Sequence, residues 1–388
     1  VAVNSNGGVP SADEYGAAWL DPLEQLYNTK DDTETTRAQI SIWGEWKMLP
    51  GLSYKIQYSN NYDGEQYEYF QPGELTDSKI AEGSSYSSHT NDWVIQNTLT
   101  YDNTFKGHHL NVLLGQSAEK QTYYIGNMEA TGWPYDQLTT LNLASTAKLA
   151  STERTAYTNA SFFGRLSYDY KEKYLMTVSV RRDGSSRFGQ NAKWGTFPSL
   201  SLGWKLNEEN FLKSADWINL LKLRASLGTS GNDRIGDYQY MALLGSYNSA
   251  YGNALQSGAA PQNLSNEDLQ WEQTRSVDIG FDFSAFNNRI QFNFDYYINT
   301  TNHLLFDVPV PYSTGFDSQL VNLGKIRNQG WEVDLTTNNL SGAFKWTSNL
   351  NLSHNSNKVL DMGTIQQFTI TQNGQQFITK VGGPISQF

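Results

Sequence analysis

The chain contains no cysteine, which excludes disulfide bridges and thiolate metal sites. Long apolar runs are missing too. Only 38% of its 388 residues are hydrophobic, and the mean hydropathy is −0.56. No stretch approaches the about 20 apolar residues of a spanning helix. Basic charge is scarce: 28 Lys and Arg face 39 Asp and Glu, a net charge of −11. That argues against nucleic acid, whose binders carry a basic footprint. The opening "VAVNSNGGVPSADEYG" has neither a basic n-region nor an apolar h-region, so it does not read as a signal peptide. A mature or shortened chain would start the same way.

Catalytic motifs are also absent. His89, His108, His109, His303 and His354 show no metal-ligand spacing. There is no G-x-S-x-G elbow and no P-loop. Gly228-Thr229-Ser230-Gly231 reads as a turn. Asn232, Asp233 and Asp237 offer the oxygen ligands that Ca²⁺ takes, but a solvated loop is the simpler account. The expectation is a protein that is not an enzyme, with no cofactor and no metal site.

What is present is alternation. Ala38, Ile40, Ile42, Gly44, Trp46 and Met48 alternate with Arg37, Gln39, Ser41, Trp43, Glu45 and Lys47. Successive strand side chains point to opposite faces, so this segment has one apolar and one polar face. The pattern recurs at Leu52–Tyr58, Trp93–Tyr101, Ala160–Tyr170, Tyr174–Arg181, Leu221–Gly228, Val277–Phe283, Ile290–Tyr296, Trp331–Thr336 and Phe344–Leu352, among others. About twelve strands are expected on this count, several of them as long as the roughly 9–11 residues of a membrane strand. Short connections near 49–51, 102–107, 170–173, 207–218, 285–288 and 339–342 alternate with longer ones near 60–90, 119–154, 184–192, 229–268 and 299–326. Short turns at one end and long loops at the other suit an antiparallel up-and-down transmembrane β-barrel with long extracellular loops. Tyr101, Tyr168, Tyr170, Tyr174, Trp204, Trp217 and Tyr296 lie near strand ends, where interface girdles form. A soluble β-sandwich or solenoid is the alternative; its strands would average about 5–6 residues. Asn97 and Ser348 fall on the apolar face, and Pro198 falls in a strand, against the pattern.

From "VSVRRDGSSRFGQNAKWGTFPSLSLGWKLNEENFL" onward the chain resembles the SusC/RagA family of TonB-linked outer-membrane transporters. "LKLRASLGTSGNDRIGDYQY", "LQWEQTRSVDIGFDF", "FNFDYYINTTNHLL", "NLGKIRNQGWEVDL" and "VGGPISQF" follow in the family's order. The resemblance implies a larger barrel of about 22 strands, closed by a plug. It also implies a TonB-binding segment and a SusD-like surface lipoprotein as lid. Function would be TonB-dependent import of oligosaccharide or peptide nutrients across the bacterial outer membrane. Assembly as a dimer of transporter–lipoprotein pairs would fit. The plug, the TonB-binding segment and the last strands are not recognised here, so the chain reads as an internal, partial barrel. Its expected layout is a leading loop over 1–35, barrel strands over 36–356 and a loop region over 357–388. The sheet should therefore be open, ending at Arg37–Met48 and Phe344–Asn355. A passive porin, an adhesin barrel and a soluble glycan-binding protein are the rival functions.

Two sets of residues are the site candidates. Loop aromatics suit the flat faces of sugars, peptides or a lid protein: Tyr67 and Tyr69, Tyr123 and Tyr124, Trp133 and Tyr135 around the proline of "TGWPYDQL", and Tyr238 and Tyr240. Arg165, Asp169, Arg181 and Asp183 lie on the polar side of neighbouring strands, either as a ladder of cross-strand pairs or as a dock for the plug. Asp183-Gly184 is expected to turn a charged hairpin tip.

Overall fold

The computed structural model describes residues 22–252, 254–363, 365–372 and 375–386. A short helix, α1 (Pro22–Asn28), precedes the strands. They are β1 (Lys30–Leu49), β2 (Leu52–Gln71), β3 (Glu82–Phe105), β4 (His108–Thr131), β5 (Thr146–Tyr170), β6 (Tyr174–Ser185), β7 (Trp194–Lys205), β8 (Ile218–Asn232), β9 (Leu244–Tyr251), β10 (Ala254–Pro261), β11 (Glu272–Ala285), β12 (Ile290–Asn302), β13 (Leu305–Pro309), β14 (Ser318–Asn322), β15 (Lys325–Ser341), β16 (Lys345–Asp361), β17 (Gln367–Gln372) and β18 (Gln375–Lys380). Twelve of them form one sheet in the order β1-β2-β3-β4-β5-β6-β7-β8-β11-β12-β15-β16. β9–β10, β13–β14 and β17–β18 are separate two-stranded hairpins. β1 and β16 end the order unpaired with each other, so the sheet is open at the two expected strands.

The chain divides into two units. One holds the described residues up to Ile42, Tyr58–Ile95 and Glu119–Tyr157; the other holds Trp43–Gln57, Gln96–Ala118 and the described residues from Thr158 on. Within the second unit, the register lines up apolar side chains strand after strand. Leu166, Val178, Leu200, Leu227, Val277 and Ile298 stand in one row. Tyr168, Met176, Leu202, Ala225, Ile279, Tyr296 and Trp331 form the next. On the other face, Ser167, Thr177, Ser201, Ser226 and Asp278 form a polar row.

Among the described residues, no protein layer covers the apolar rows. Phe162 is 56% exposed, Leu202 48% and Ile279 58%. A soluble sandwich would bury this face against a second sheet, and an exposed apolar band of this extent marks contact with something else. A girdle borders it at the short-turn end. Phe105, His108, Tyr170, Tyr174 and Trp204 follow one another at centroid distances of 5.5, 4.6, 6.4 and 6.3 Å. In the turn beyond β7, Glu209 accepts hydrogen bonds from the Tyr174 hydroxyl at 2.6 Å and the Trp204 indole at 3.1 Å. Those two bonds, with Lys173 nearby, hold the Glu209 carboxyl below its ordinary value. Apolar band and amphipathic girdle together are what lipid requires.

The residues that broke the pattern have local answers. Asn97 accepts from the Tyr54 hydroxyl at 2.7 Å and donates to Gln116 at 2.9 Å, so its amide is satisfied. Ser348 accepts from the Asn339 amide at 2.8 Å, beside a register shift between Asn338 and Leu340. Pro198 pairs with Val180, and the β7–β8 ladder starts only at the next residue, Ser199.

Three expectations need correction. Gly228-Thr229-Ser230-Gly231 does not turn: it lies within β8 and pairs with residues 273–276 of β11. Much of 60–90 and 119–154 is strand, because β2, β3 and β4 run on as 20, 24 and 24 residues. Asp183-Gly184 does not turn: β6 continues through Ser185, which pairs with Asn159 on β5. The connection lies further on, and there Phe188 is fully buried with Phe197, Leu269 and Trp271. Gly231 makes this packing feasible, since a Cβ there would sit 2.1 Å from the Phe197 ring.

Candidate functional site

In the first unit, the polar faces of β1 to β4 carry a groove of about 780 Å³. Alternation puts Arg37 and Gln39 on the same face as Ser41, whose hydroxyl meets that of Ser59 at 3.0 Å. Asp63 follows Ser59 on that face and pairs with Arg37 at 3.0 Å. Glu65 comes next and accepts a hydrogen bond from the Tyr86 hydroxyl. Ser88, Thr90, Asp92, Gln121 and Tyr123 complete the polar lining. At its rim Tyr67 stacks on Tyr86 at 5.0 Å and 23°. Tyr69, two residues on, donates to Gln71 at 2.7 Å.

The expected loop aromatics therefore separate by role. Tyr67 and Tyr123 are strand residues on the groove side. Tyr124 points the other way, tilted against His89 at 5.1 Å, with the Arg154 guanidinium 5.2 Å from its ring. Trp133 is not open to a ligand. It is 8% exposed, packs edge-on against Phe70 at 5.2 Å, and donates its indole N–H to the Thr140 carbonyl at 2.9 Å. Its partner Tyr135 is 66% exposed. In the second unit, Tyr240 packs on the Phe188–Trp271 cluster, whereas Tyr238 is exposed at a φ of 64°.

The polar-face charges form local pairs rather than one ladder across the strands. Arg181 holds Asp183 two residues on in its own strand, with both contacts under 3 Å (2.7 and 2.9 Å), and reaches Ser161 at 2.8 Å. Asp169 binds His109 at 2.8 Å, and His109 meets Asp102 on its other nitrogen at 3.3 Å. Arg165 reaches Asn111 at 3.5 Å. Sequence reading missed Arg224, which lies between Asp282 at 2.9 Å and Asp295 at 2.8 Å. It also missed Arg187, whose pairing with Asp237 at 2.9 Å occupies one of the carboxylates that a Ca²⁺ site would need. Among the described residues no cluster of metal-ligating side chains occurs.

The Arg224–Asp295 pair spans from β8 to β12, directly over Gly280 of β11. A Cβ at Gly280 would lie 2.2 Å from Asp295 Oδ1 and 3.0 Å from Arg224 Nη2. Gly280→Val is thus expected to part the pair, at about 1–3 kcal/mol for the lost charged hydrogen bond, and to strain the β11–β12 ladder as well, because its Cβ would also lie 2.6 Å from the Phe294 carbonyl oxygen. Equilibrium unfolding of the variant, set beside Arg224→Met in the wild-type and Gly280→Val backgrounds, checks this. Full additivity of the two substitutions would mean that Gly280 does not act through Arg224.

Residues 2–384 match the family model described as "TonB dependent receptor-like, beta-barrel". The chain is 40% identical over 347 residues to TonB-dependent receptor P39 of Formosa agariphila, covering 88% of this chain and 33% of that protein. It is 31% identical over 353 residues to TonB-dependent receptor SusC of Bacteroides thetaiotaomicron, covering 86% and 34%. This chain spans about a third of the length of these curated relatives. In fold it is similar to the structure of the RagAB peptide transporter, with a TM-score of 0.88 at 24% identity over 98% of this chain and 43% of that one. An uncovered apolar face with an aromatic girdle, and a family match along nearly the whole sequence, lead to one assignment: the chain, similar to SusC in sequence and to RagAB in fold, belongs to the TonB-dependent receptor-like β-barrel family, outer-membrane transport proteins rather than enzymes.

Proposed function

We propose that this protein imports oligosaccharide or peptide nutrients across the outer membrane, driven through TonB and assisted by a SusD-like surface lipoprotein, in dimers of such pairs. The observation that carries the reading is the family match over residues 2–384. A second support is the polar groove beside stacked Tyr67 and Tyr86. Residues 36–356 supply barrel strands in this reading. Tyr67, Tyr69, Tyr123, Tyr135 and Tyr238 meet the cargo or the lid. Arg165, Asp169, Arg181 and Asp183 stiffen the lumen wall where a plug docks.

Two measurements test it. Uptake of labelled oligosaccharide and peptide pools should require this gene and should stop when the proton gradient is collapsed. Uptake that survives the collapse rejects TonB coupling and leaves a passive porin. The orientation is tested in the full-length protein in liposomes, with single probes on a background free of other cysteines, to which this chain contributes none. Cysteines at Ile40 and Ile42 should react with a membrane-confined reagent. Those at Ser41 and Glu45 should react with a water-soluble maleimide. Labelling of the even positions by the water-soluble reagent overturns the barrel orientation.

A further inference from the structure

The groove of the first unit is acidic as well as polar. Asp63, Glu65 and Asp92 line it, and among the described residues Arg37 is the one basic side chain on its wall. Arg37 is already engaged by Asp63 at 3.0 Å. Burial first, and then the nearby Glu119 carboxylate, push the Asp92 carboxyl upward, so a cation beside it would be strongly favoured; Asp31 near Tyr67, and Glu82 and Asp31 near Tyr69, carry the acidic field to the rim. Asp92 also has an unmet need. Its Oδ1 is shielded from solvent and has no hydrogen-bond donor among the described residues. A concave wall of one sign concentrates counter-charged ligands and repels like-charged ones. The stacked Tyr67–Tyr86 rings add faces that attract ammonium and guanidinium groups.

We propose that this groove is a cargo subsite selective for ligands that carry an ammonium or guanidinium group, and that it discriminates against polyanionic cargo. The proposal rests on the import reading above and gives it a substrate class. Glu65 and Asp92 supply the attraction, and Asp63 offsets the charge of Arg37. Gln39, Asn61 and Gln121 supply amide groups for the neutral part of an oligomeric ligand. Tyr67 and Tyr86 supply the ring faces. An amino-sugar oligomer and a basic peptide share this chemistry.

The test uses the purified full-length protein in detergent, so it does not depend on transport. Binding is measured for a fluorescent peptide of alternating lysine and alanine, for its glutamate and glutamine counterparts, and for glucosamine and N-acetylglucosamine oligomers. At least one cationic probe should bind at least about tenfold tighter than its anionic or neutral counterpart, with affinity that weakens as salt is raised. Which cationic probe binds identifies the source of the cation. Glu65→Gln and Asp92→Asn should each weaken that binding about fivefold, the scale of one partly solvated charge pair. Glu34→Gln, on the opposite face of β1, should leave it unchanged. Equal affinity for charged and neutral probes, a preference for the glutamate peptide, or no binding of either cationic probe overturns the proposal. The import reading fails separately, through the cysteine labelling or through uptake that ignores the proton gradient.

Discussion

Phe188→Ala is expected to unlock the long loops of the second unit while leaving the strands in place. Phe188 has no exposed surface. Its ring lies 5.3 Å from Trp271, which in turn meets Phe197 at 5.4 Å. Leu269 is equally buried in the same cluster, and Ile235, Tyr240, Leu305 and Leu320 pack around it. Removing a buried phenylalanine ring costs about 3–5 kcal/mol, through lost apolar burial and the cavity left behind. The neighbours cannot close in easily. Trp271 is fixed by its indole bond to the Lys193 carbonyl at 3.0 Å, and Arg187 by its contact with Asp237. The loss therefore appears as local opening. Protease cleavage within 233–271 should accelerate about a hundredfold or more, since each 1.4 kcal/mol is a factor of ten when opening is in rapid equilibrium. Strand content and insertion into membranes should not change. If 233–271 stays as resistant as in the wild type, the cluster does not hold the loops.

That cluster shows where sequence reading stops. The barrel strands were legible because one face is apolar. Tyr174–Arg181 and Leu221–Gly228 alternate cleanly, since one side meets lipid and the other water. Past Asn60 on β2 and Ala118 on β4 both faces carry polar residues, and the period-two signal fades although the strands continue. Tyr67 and Tyr123 consequently looked like loop residues when they are strand residues. Local chemistry also misled at Gly184, where an Asp-Gly turn signal was outweighed by the pairing of Ser185 with Asn159. Trp133 failed for another reason. An aromatic next to a proline in a connection looks ligand-facing, and its burial depends on Phe70, far away in sequence. Of the charge pairs described above, Arg181–Asp183, two residues apart on one strand, follows from sequence spacing. His109 with Asp169, and Arg224 with Asp295, needed the register.

The register also predicts that adjacent residues will respond oppositely to the same substitution. Leu227 belongs to the apolar row between Leu200 and Val277, whereas Ser226 belongs to the polar row between Ser201 and Asp278. Leu227→Arg puts a guanidinium into the lipid-facing band, at a cost of about 2–4 kcal/mol near the midplane. Arginine can lengthen toward the interface, which lowers the cost without removing it. Ser226→Arg puts the same group on the water-facing side, next to the Asp278 carboxylate, where the cost is near zero or slightly favourable. Unfolding of both full-length variants from phospholipid vesicles in denaturant reads the difference directly. Leu227→Arg should shift the midpoint strongly downward and lower the folded yield, and Ser226→Arg should match the wild type. The two residues share a backbone, a strand and a neighbourhood, so propensity and local crowding largely cancel in the comparison. A Ser226→Arg penalty equal to or larger than that of Leu227→Arg would mean that the apolar rows do not face lipid.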